Sequence, residues 1–282
     1  MSALVTDRVR ANAVRLALTH LAGEADALAA RAEAAQLGYL DFLDLILEEE
    51  VGMREGRRFR HALNASGLPH HKTLDEFDVT FQPDLDPKRL AELRSLRFVQ
   101  NKVSSLILGP PGVGKTHLAV GLAMEALRAG YLVRYMTLDD IVRELRQADQ
   151  LGTLRNKLAH YQRPHVLIVD EVGYLRLEHA DANRFFQLIN RRYTRSSMIV
   201  TSNKRVSEWA ELFGDEVQAV AILDRLLHDA EILTINGPSW RLRGRGDLFA
   251  DKLNVAEDGE NSPTDTPRQP PRGPQKGAHD AD

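Results

Sequence analysis

The sequence contains no cysteine and no long hydrophobic run. The absence of cysteine among its 282 residues excludes a disulfide scaffold, a thiolate zinc site and a cysteine nucleophile. No apolar run approaches the roughly 18 to 20 residues that a membrane span requires. Asp7, Arg8 and Arg10 lie where a signal peptide needs apolar residues. We therefore expect a cytoplasmic protein with no membrane partner.

Most of the chain also lacks a net charge of either sign. Residues 251–282 carry seven acidic and four basic side chains, which accounts for the whole net charge of −3. Residues 1–250 are therefore formally neutral. A neutral body excludes a polybasic particle that coats nucleic acid by bulk charge, but it leaves room for local basic surfaces.

Proline is missing from residues 1–66, which are rich in Ala, Leu, Glu and Arg. Apolar residues recur there at helical spacing, as at Leu40, Leu43 and Leu47, and this predicts a domain of a few short helices. A basic run near its end is either the solvated face of a helix or a contact to nucleic acid or a protein partner. The run comprises Arg54, Arg57, Arg58 and Arg60.

Residues 67–86 carry two prolines and no sustained hydrophobic period, which predicts an extended linker. Leu74, Phe77 and Phe81 need burial, so we expect the linker to pack on the following domain. That domain spans residues 87–245. Residues 246–282 are dominated by Pro, Gly, Asp, Asn and Gln, a composition typical of a disordered tail.

Residues 87–245 alternate helical patterns with five short apolar runs. Short runs without polar alternation are typical of strands buried on both faces of a parallel sheet, and the stretches between most of them are long enough for helical crossovers. We therefore predict an α/β fold with a parallel sheet between helices. The runs are residues 103–108, 132–136, 166–169, 198–201 and 232–235.

A glycine-rich loop follows the first of these runs. It matches the pattern of Gly, four residues, Gly, Lys and Ser or Thr, in which backbone N–H groups converge on phosphate oxygens. The next helix presents its positive N-terminal end to the same anion. Lys115 would contact the β and γ phosphates, and Thr116 would hold Mg²⁺. The loop comprises Gly109, Pro110, Pro111, Gly112, Val113, Gly114, Lys115 and Thr116.

Two carboxylates follow the apolar strand at residues 166–169. Because open α/β sheets bind ligands at the carboxyl ends of their strands, Asp170 could hold the metal from its other side. Glu171 could polarise the attacking water. An acidic pair at this position could also cap a helix, but the upstream phosphate loop favours the catalytic interpretation.

The sequence alone leaves the roles of two further polar residues open. Asn203 ends the next buried strand, where it could orient the lytic water, sense the γ phosphate or simply form a turn. Arg225 could offset transition-state charge in a neighbouring subunit, as arginine fingers do, or form a surface ion pair with Asp229 at i+4.

Several motifs in order resemble the IstB-like ATP-binding proteins, transposition helper ATPases of the AAA+ superfamily. They are GPPGVGKTHLAVGLAMEA, VLIVDEVGYL, FFQLINRRY, IVTSN followed by SEWAELFGD, and AVAILDRLLHDAEILTINGPSWRLRGR. The resemblance spans roughly residues 1–245 and does not include the tail. It implies an AAA+ P-loop NTPase core preceded by a small, all-helical N-terminal domain.

The resemblance also implies roles for single residues. Lys115 and Thr116 correspond to the Walker A pair, and Asp170 and Glu171 to Walker B. Asn203 corresponds to sensor 1. Arg225 corresponds to an arginine finger that reaches a neighbouring subunit's ATP. The sequence departs from the family at one position, because Trp240 stands where tyrosine is usual; whether the following Arg241 senses nucleotide stays open.

Members of this family assemble as ATP-bound oligomers on duplex DNA and stimulate a transposase encoded beside them. The resemblance therefore implies ATP and Mg²⁺ as cofactors, and duplex DNA, a transposase and further copies of the chain as partners. A DnaC-like replicative helicase loader, built on the same core, is the main alternative. A metabolic phosphoryl-transfer enzyme and a binding module without chemistry are less favoured. For DNA contact we select residues 54–60 and the cluster Arg191, Arg192 and Arg195.

Overall fold

The computed structural model describes residues 3–174, 176–214 and 216–243. The tail predicted for residues 246–282 lies outside them. In the described residues, no helix combines the length and the apolar character needed to cross a bilayer.

Eleven α-helices and five strands are described within these ranges, together with three short 3₁₀ turns at Val79–Phe81, Val206–Glu208 and Trp240–Leu242. The helices are α1 Ala3–Arg15, α2 Thr19–Ala34, α3 Tyr39–Ser66, α4 Pro87–Arg94, α5 Arg97–Gln100, α6 Lys115–Arg128, α7 Leu138–Gln150, α8 Leu154–Gln162, α9 His179–Arg192, α10 Trp209–Phe213 and α11 Glu216–Leu227. The strands are β1 Ser105–Leu108, β2 Val133–Thr137, β3 Val166–Val172, β4 Ser197–Ser202 and β5 Glu231–Thr234.

All five strands pair in parallel, in the order β2-β3-β4-β1-β5, which confirms the predicted sheet. One face packs on α7 to α11 and the other on α6 and the segments that precede β1. Strand β4 lies between β1 and β3 and pairs with both of them. The carboxyl ends of these three strands therefore meet at one edge of the sheet.

The predicted strand bounds shift where the backbone turns. Strand β1 begins at Ser105 instead of residue 103 because the chain turns at Lys102, whose φ is +58°, and Val103 N–H bonds to the Phe98 carbonyl oxygen at 2.8 Å. Strand β3 continues to Val172, three residues past its predicted end. That extension contains the two acidic residues.

The N-terminal segment is helical as predicted, but α3 is a single helix of 28 residues, longer than the short helices expected. Its C-terminal half packs on the core through Phe59 and Leu63. Its N-terminal half leaves Leu40 80% exposed, because α2 packs on the opposite side, where the buried Glu50 accepts a hydrogen bond from His20 N–H at 2.9 Å. The apolar spacing thus predicted the helix correctly but not the face that is buried.

The segment between α3 and α4 lies against the core. Leu74 and Phe77 are buried beside α6, and Phe81 meets the ring of Trp240 edge to face, with centroids 4.8 Å apart. The side chain of Gln82 donates to the Pro238 carbonyl oxygen at 3.0 Å. These contacts bring the residues before β1 and the residues after β5 to the same side of the glycine-rich loop.

Candidate functional site

The glycine-rich loop connects β1 to α6 and is enclosed by neighbouring segments. Gly112 and Gly114 have φ values of +84° and +100°, which favour glycine. A Cβ atom on Gly112 would lie 2.0 Å from the Ser239 hydroxyl oxygen, and one on Gly114 would lie 2.6 Å from the Phe77 ring. The sequence Gly-Val-Gly is therefore required by the packing as well as by the turn.

Lys115 begins α6 and folds back over the loop. Its ammonium donates to the carbonyl oxygens of Gly109 at 2.7 Å and Pro110 at 2.8 Å. Burial lowers the pKa of Lys115; the charge of Asp170 raises it, and the charge of Arg241 lowers it again. An anion at the loop would counter this desolvation, so the ammonium is suited to leave the carbonyl oxygens for a phosphate.

Asp170 lies beside Thr116, as predicted for a shared metal site, and its side chain is almost completely buried. Three hydroxyl groups donate to its carboxylate: Thr116 at 2.9 Å, Tyr135 at 2.6 Å, and Thr201. Burial and the bond to Asp170 raise the pKa of Tyr135, so its hydroxyl keeps its proton and stays a donor. The carboxylate is thereby fixed at the carboxyl end of β3.

A β-bulge places Glu171 on the cavity side of the strand. Val169 is paired with Val200 and Val172 with Ser202, so β3 has one residue more than β4 over this stretch. Glu171 is the extra residue, and its φ of +64° is unusual for a residue with a side chain. Its N–H donates to the Thr201 hydroxyl at 3.1 Å. Asp170 therefore points into the protein, whereas the Glu171 side chain is exposed.

Asn203 follows β4 beside these acids and lines the same cavity. Its buried Oδ1 atom has no hydrogen-bond partner in the part of the chain that is described. A Cβ atom on Gly173 would lie only 2.3 Å from this oxygen. Gly173 therefore lets the loop after Glu171 approach the Asn203 amide, which remains available for a polar ligand.

These residues surround a cavity of about 460 Å³. Its floor consists of the loop and the hydroxyl and carboxylate groups of Thr116 and Asp170, and Phe81 and Trp240 form part of its wall. Backbone N–H groups at a helix N-terminus suit phosphate, and a hydroxyl with a carboxylate is an oxygen donor set that suits Mg²⁺. The groups that line the cavity therefore suit a nucleoside triphosphate together with Mg²⁺.

Arg225 does not line this cavity. Its guanidinium donates to the Asn190 side-chain oxygen at 3.0 Å and to the Ala221 carbonyl oxygen at 3.2 Å, and it lies over the ring of Phe186. Asp229, the alternative ion-pair partner, contacts His228 at 3.5 Å. The structure brings Lys115, Thr116, Asp170, Glu171 and Asn203 together and leaves Arg225 apart from them.

The choice of Arg192 as a surface residue for DNA contact is wrong. Its side chain is 1% exposed and donates to the carbonyl oxygens of Tyr161, Pro164 and Ser197 at 2.5 to 3.1 Å. Burial lowers its pKa to about 9, so it still carries a charge at neutral pH. Arg192 therefore connects three backbone segments, while its neighbours Arg191 and Arg195 reach the surface.

The basic run on α3 is largely engaged with its own chain. Arg54 donates to the Ala17 carbonyl oxygen at 2.8 Å, Arg57 to the Thr19 hydroxyl at 2.6 Å, and Arg58 to the Gly130 carbonyl oxygen at 3.3 Å. Arg54 and Arg57 also lie within 3.7 Å of the buried Glu50 carboxylate. These arginines help to hold α3 to α2 and to the core.

Sequence reasoning missed Tyr135 and Thr201, which orient Asp170, and Ser239, which packs on the loop. Thr201 carried a usable signal, because a hydroxyl in an otherwise apolar run just before Asn203 falls at the ligand-binding edge of the sheet. The sequence contains no such signal for Tyr135 or Ser239. Their roles depend on the pairing of β2 with β3 and on the path of the chain after β5.

Comparison with known proteins identifies the family. The model of the IstB-like ATP-binding proteins matches residues 11–247. The chain belongs to this family. Relatives include an ATP-binding protein of insertion sequence IS5376 from Geobacillus stearothermophilus, which is 44% identical over 84% of this chain and 94% of the relative. Another is an ATP-binding protein of insertion sequence IS21 from Pseudomonas aeruginosa, also 44% identical, over 81% and 86%.

The solved structures show the same fold for the core of this IstB-like protein. The replication initiator DnaA bound to AMPPCP and single-stranded DNA matches with a TM-score of 0.50 and 22% identity. That match covers 68% of this chain and 57% of the DnaA chain. Together with the family, the parallel sheet between helices is an AAA+ P-loop core preceded by a helical N-terminal region, as the sequence predicts.

Proposed function

We propose that this IstB-like protein is a cytoplasmic, Mg²⁺-dependent ATPase that assists DNA transposition. The observation that carries the proposal is the constellation at the carboxyl edge of the sheet, where Thr116 lies 2.9 Å from Asp170 and Glu171 faces the same cavity. Relatives named for insertion sequences favour transposition over helicase loading. A metabolic phosphoryl-transfer enzyme is less favoured, because Glu171 beside Asp170 suits water as the acceptor.

Each residue of the site has a task suited to its position. The loop amides and Lys115 would bind the phosphates, and Thr116 and Asp170 would hold Mg²⁺. When bound, Mg²⁺ neutralises charge on the phosphate oxygens. The Asn203 amide orients the water whose oxygen attacks the γ phosphorus, and Glu171 accepts its proton. The bond between the γ phosphorus and the bridging oxygen breaks, and ADP leaves.

The position of Arg225 supports completion of the site between subunits. Arg225 lies on α11, away from the cavity of its own chain, and its guanidinium is held by Asn190 and by the ring of Phe186. A pre-oriented arginine outside its own site can serve the site of a neighbouring copy. The proposed active form is a homo-oligomer in the ATP state; the insertion-sequence relatives further support its assembly on duplex DNA and its stimulation of a transposase encoded nearby.

The experiment that tests this function measures ATP turnover by the full chain with and without duplex DNA and with EDTA in place of Mg²⁺. We expect turnover that requires Mg²⁺ and rises with DNA. Mixing Arg225→Ala with a Glu171→Gln variant tests the shared site, because each subunit type can supply what the other lacks. Partial recovery of turnover supports the finger, whereas a mixture as inactive as its components contradicts it. Turnover that depends on a small acceptor molecule instead of water would contradict the ATPase proposal.

A further inference from the structure

A row of cations lies at the edge of the sheet opposite the cavity, where the parallel strands begin. Arg163 precedes β3, Arg195 precedes β4 and Lys102 precedes β1. Arg191 lies in the last turn of α9, and Arg97 begins α5. We call these five residues the basic edge. All are exposed except Arg191, which is half-buried.

Hydrogen bonds hold the segments of the basic edge together. Arg192 binds the carbonyl oxygens of Pro164 and Ser197 with one nitrogen, so the turns before β3 and β4 lie within reach of a single side chain. The Ser197 hydroxyl donates to the Phe98 carbonyl oxygen at 3.0 Å, which adds α5 to the same edge. Lys102 lines a small cavity of about 130 Å³ together with residues 193, 194 and 196. Distant parts of the sequence that carry these cations thus meet at one edge of the sheet.

The sequence around the basic edge is poor in carboxylates, although Asp229 lines the same small cavity as Lys102. No Asp or Glu occurs in residues 93–124, 150–169 or 182–207, the stretches that contain its five cations. Within the described ranges, none of the five side chains takes part in an ion pair or hydrogen bond. Asp229, which contacts His228, and Glu231 at the start of β5 mark the end of the edge on that side.

Several other arginines of this protein are paired with carboxylates, in contrast to the basic edge, although Arg8, Arg15, Arg60 and Arg155 on α1, α3 and α8 are also exposed and unpaired within the described residues. Arg10 contacts Asp26 at 2.7 Å, Arg94 contacts Asp75 at 2.7 Å, and Arg143 contacts two aspartates of its own helix. Cations near the C-terminal ends of α8 and α9 also stabilise those helices, but only by about 0.3 to 1 kcal/mol each, and such contacts leave the charges exposed. Helix stability alone does not account for five unpaired cations on a body that is formally neutral.

We propose that the basic edge binds the phosphate backbone of duplex DNA. The cations lie at the edge without a glycine cradle, the helices α8 and α9 end there, and α5, which begins there, has only four residues, so the described part of the edge offers no amide pocket for a compact anion such as a free nucleotide. An extended polyanion meets several cations at once and releases its counterions on binding. The inference rests on the proposed function, to which it adds the DNA-binding surface. It assigns ATP and DNA to opposite edges of one sheet.

The test compares two triple variants of the full chain that lose the same charge. One is Arg163→Gln, Arg191→Gln, Arg195→Gln; the control is Arg10→Gln, Arg94→Gln, Arg143→Gln, which removes paired arginines elsewhere. Affinity for a fluorescent duplex of mixed sequence is measured with ATP and Mg²⁺ between about 50 and 200 mM salt. ATP affinity and the thermal unfolding midpoint show whether each variant is folded.

For the basic-edge variant we expect DNA affinity to fall on the order of 100-fold at 0.1 M salt, and the slope of log affinity against log salt to decrease by about 3. The control should keep its affinity within about threefold. Equal affinity and slope for both variants overturn the inference while leaving the proposed function intact. A wild-type chain that binds ATP but not DNA overturns both. A basic-edge variant whose oligomer dissociates without DNA shows that the edge contacts a second copy instead, which also overturns the inference.

Discussion

The two edges of the parallel sheet differ in how their charges are neutralised. At the carboxyl edge the charges of Asp170 and Lys115 have partners within the chain: Asp170 accepts hydrogen bonds from three hydroxyl groups and Lys115 donates to two carbonyl oxygens. At the amino edge the buried Arg192 donates to three carbonyl oxygens of its own chain, whereas the five cations of the basic edge are unpaired in the described residues. A site for chemistry needs fixed groups, whereas a surface for a polyanion needs free charges.

The same contrast separates the two arginine clusters that the sequence singles out. Both are short basic runs, and charge counting does not distinguish them. The arginines at residues 54–58 contact Glu50, Thr19 and backbone carbonyl oxygens, so much of their donor capacity holds the N-terminal helices in place. Arg191 and Arg195 have no such partners among the described residues. These contacts favour the basic edge over α3 as the proposed DNA-binding surface.

The largest effect is expected at the carboxyl edge. Glu171→Gln keeps the shape of the side chain but removes its ability to take a proton from water, so ATP turnover should fall by about 10²- to 10⁴-fold. ATP binding should persist, because the phosphate loop is unchanged. Turnover of phosphate and equilibrium binding of a fluorescent ATP analogue measure the two quantities. Wild-type turnover would show that another group is the base.

The next largest effect is expected on stability, where the buried Arg192 and its neighbour Arg191 should differ. Arg192→Met removes the donor that binds the carbonyl oxygens of Tyr161, Pro164 and Ser197, and should lower the free energy of unfolding by about 3 kcal/mol or more. Its neighbour provides the matched control, since Arg191→Met should change stability by less than about 0.5 kcal/mol. Urea denaturation followed by circular dichroism gives both values. Equal losses for the two variants would mean that Arg192 does not support the edge as described.

A smaller effect is expected on α3. Arg57→Gln combined with Arg58→Gln should change DNA affinity by less than about threefold, because both arginines already bind within the chain. The salt dependence of DNA affinity should stay parallel to that of the wild type. A decrease of the log–log slope by about 2 would instead assign two phosphate contacts to α3 and make the basic edge only part of the DNA surface.

The smallest effect is expected from residues 251–282. Removing them takes away a net charge of −3, which can only reduce repulsion from DNA, so DNA affinity should stay the same or rise up to about twofold. ATP turnover should not change. Fluorescence binding and phosphate release on the shortened chain check both statements, and a loss of either activity would show that the tail has a role in binding or assembly.

The phosphate loop, the acidic pair and the parallel sheet could be predicted from the sequence because each follows from local pattern and spacing. Asp170 and Thr116 meet because parallel strands end at one edge, which is a property of the fold class. Features that depend on pairing partners could not be predicted: the bulge at Glu171 needs the register of β3 with β4, and the hydroxyl of Tyr135 needs β2 beside β3. The sequence also could not predict which single arginines are exposed, since burial of Arg192 depends on the turns around it.

The most direct test of two separate edges is the DNA concentration that gives half-maximal stimulation of ATP turnover. It is measured for the basic-edge triple variant and for the paired-arginine control under the same salt and Mg²⁺ conditions. If ATP is hydrolysed at the carboxyl edge while DNA binds at the amino edge, the basic-edge variant needs at least about tenfold more DNA than the control. The same half-maximal DNA concentration for both variants would contradict the account.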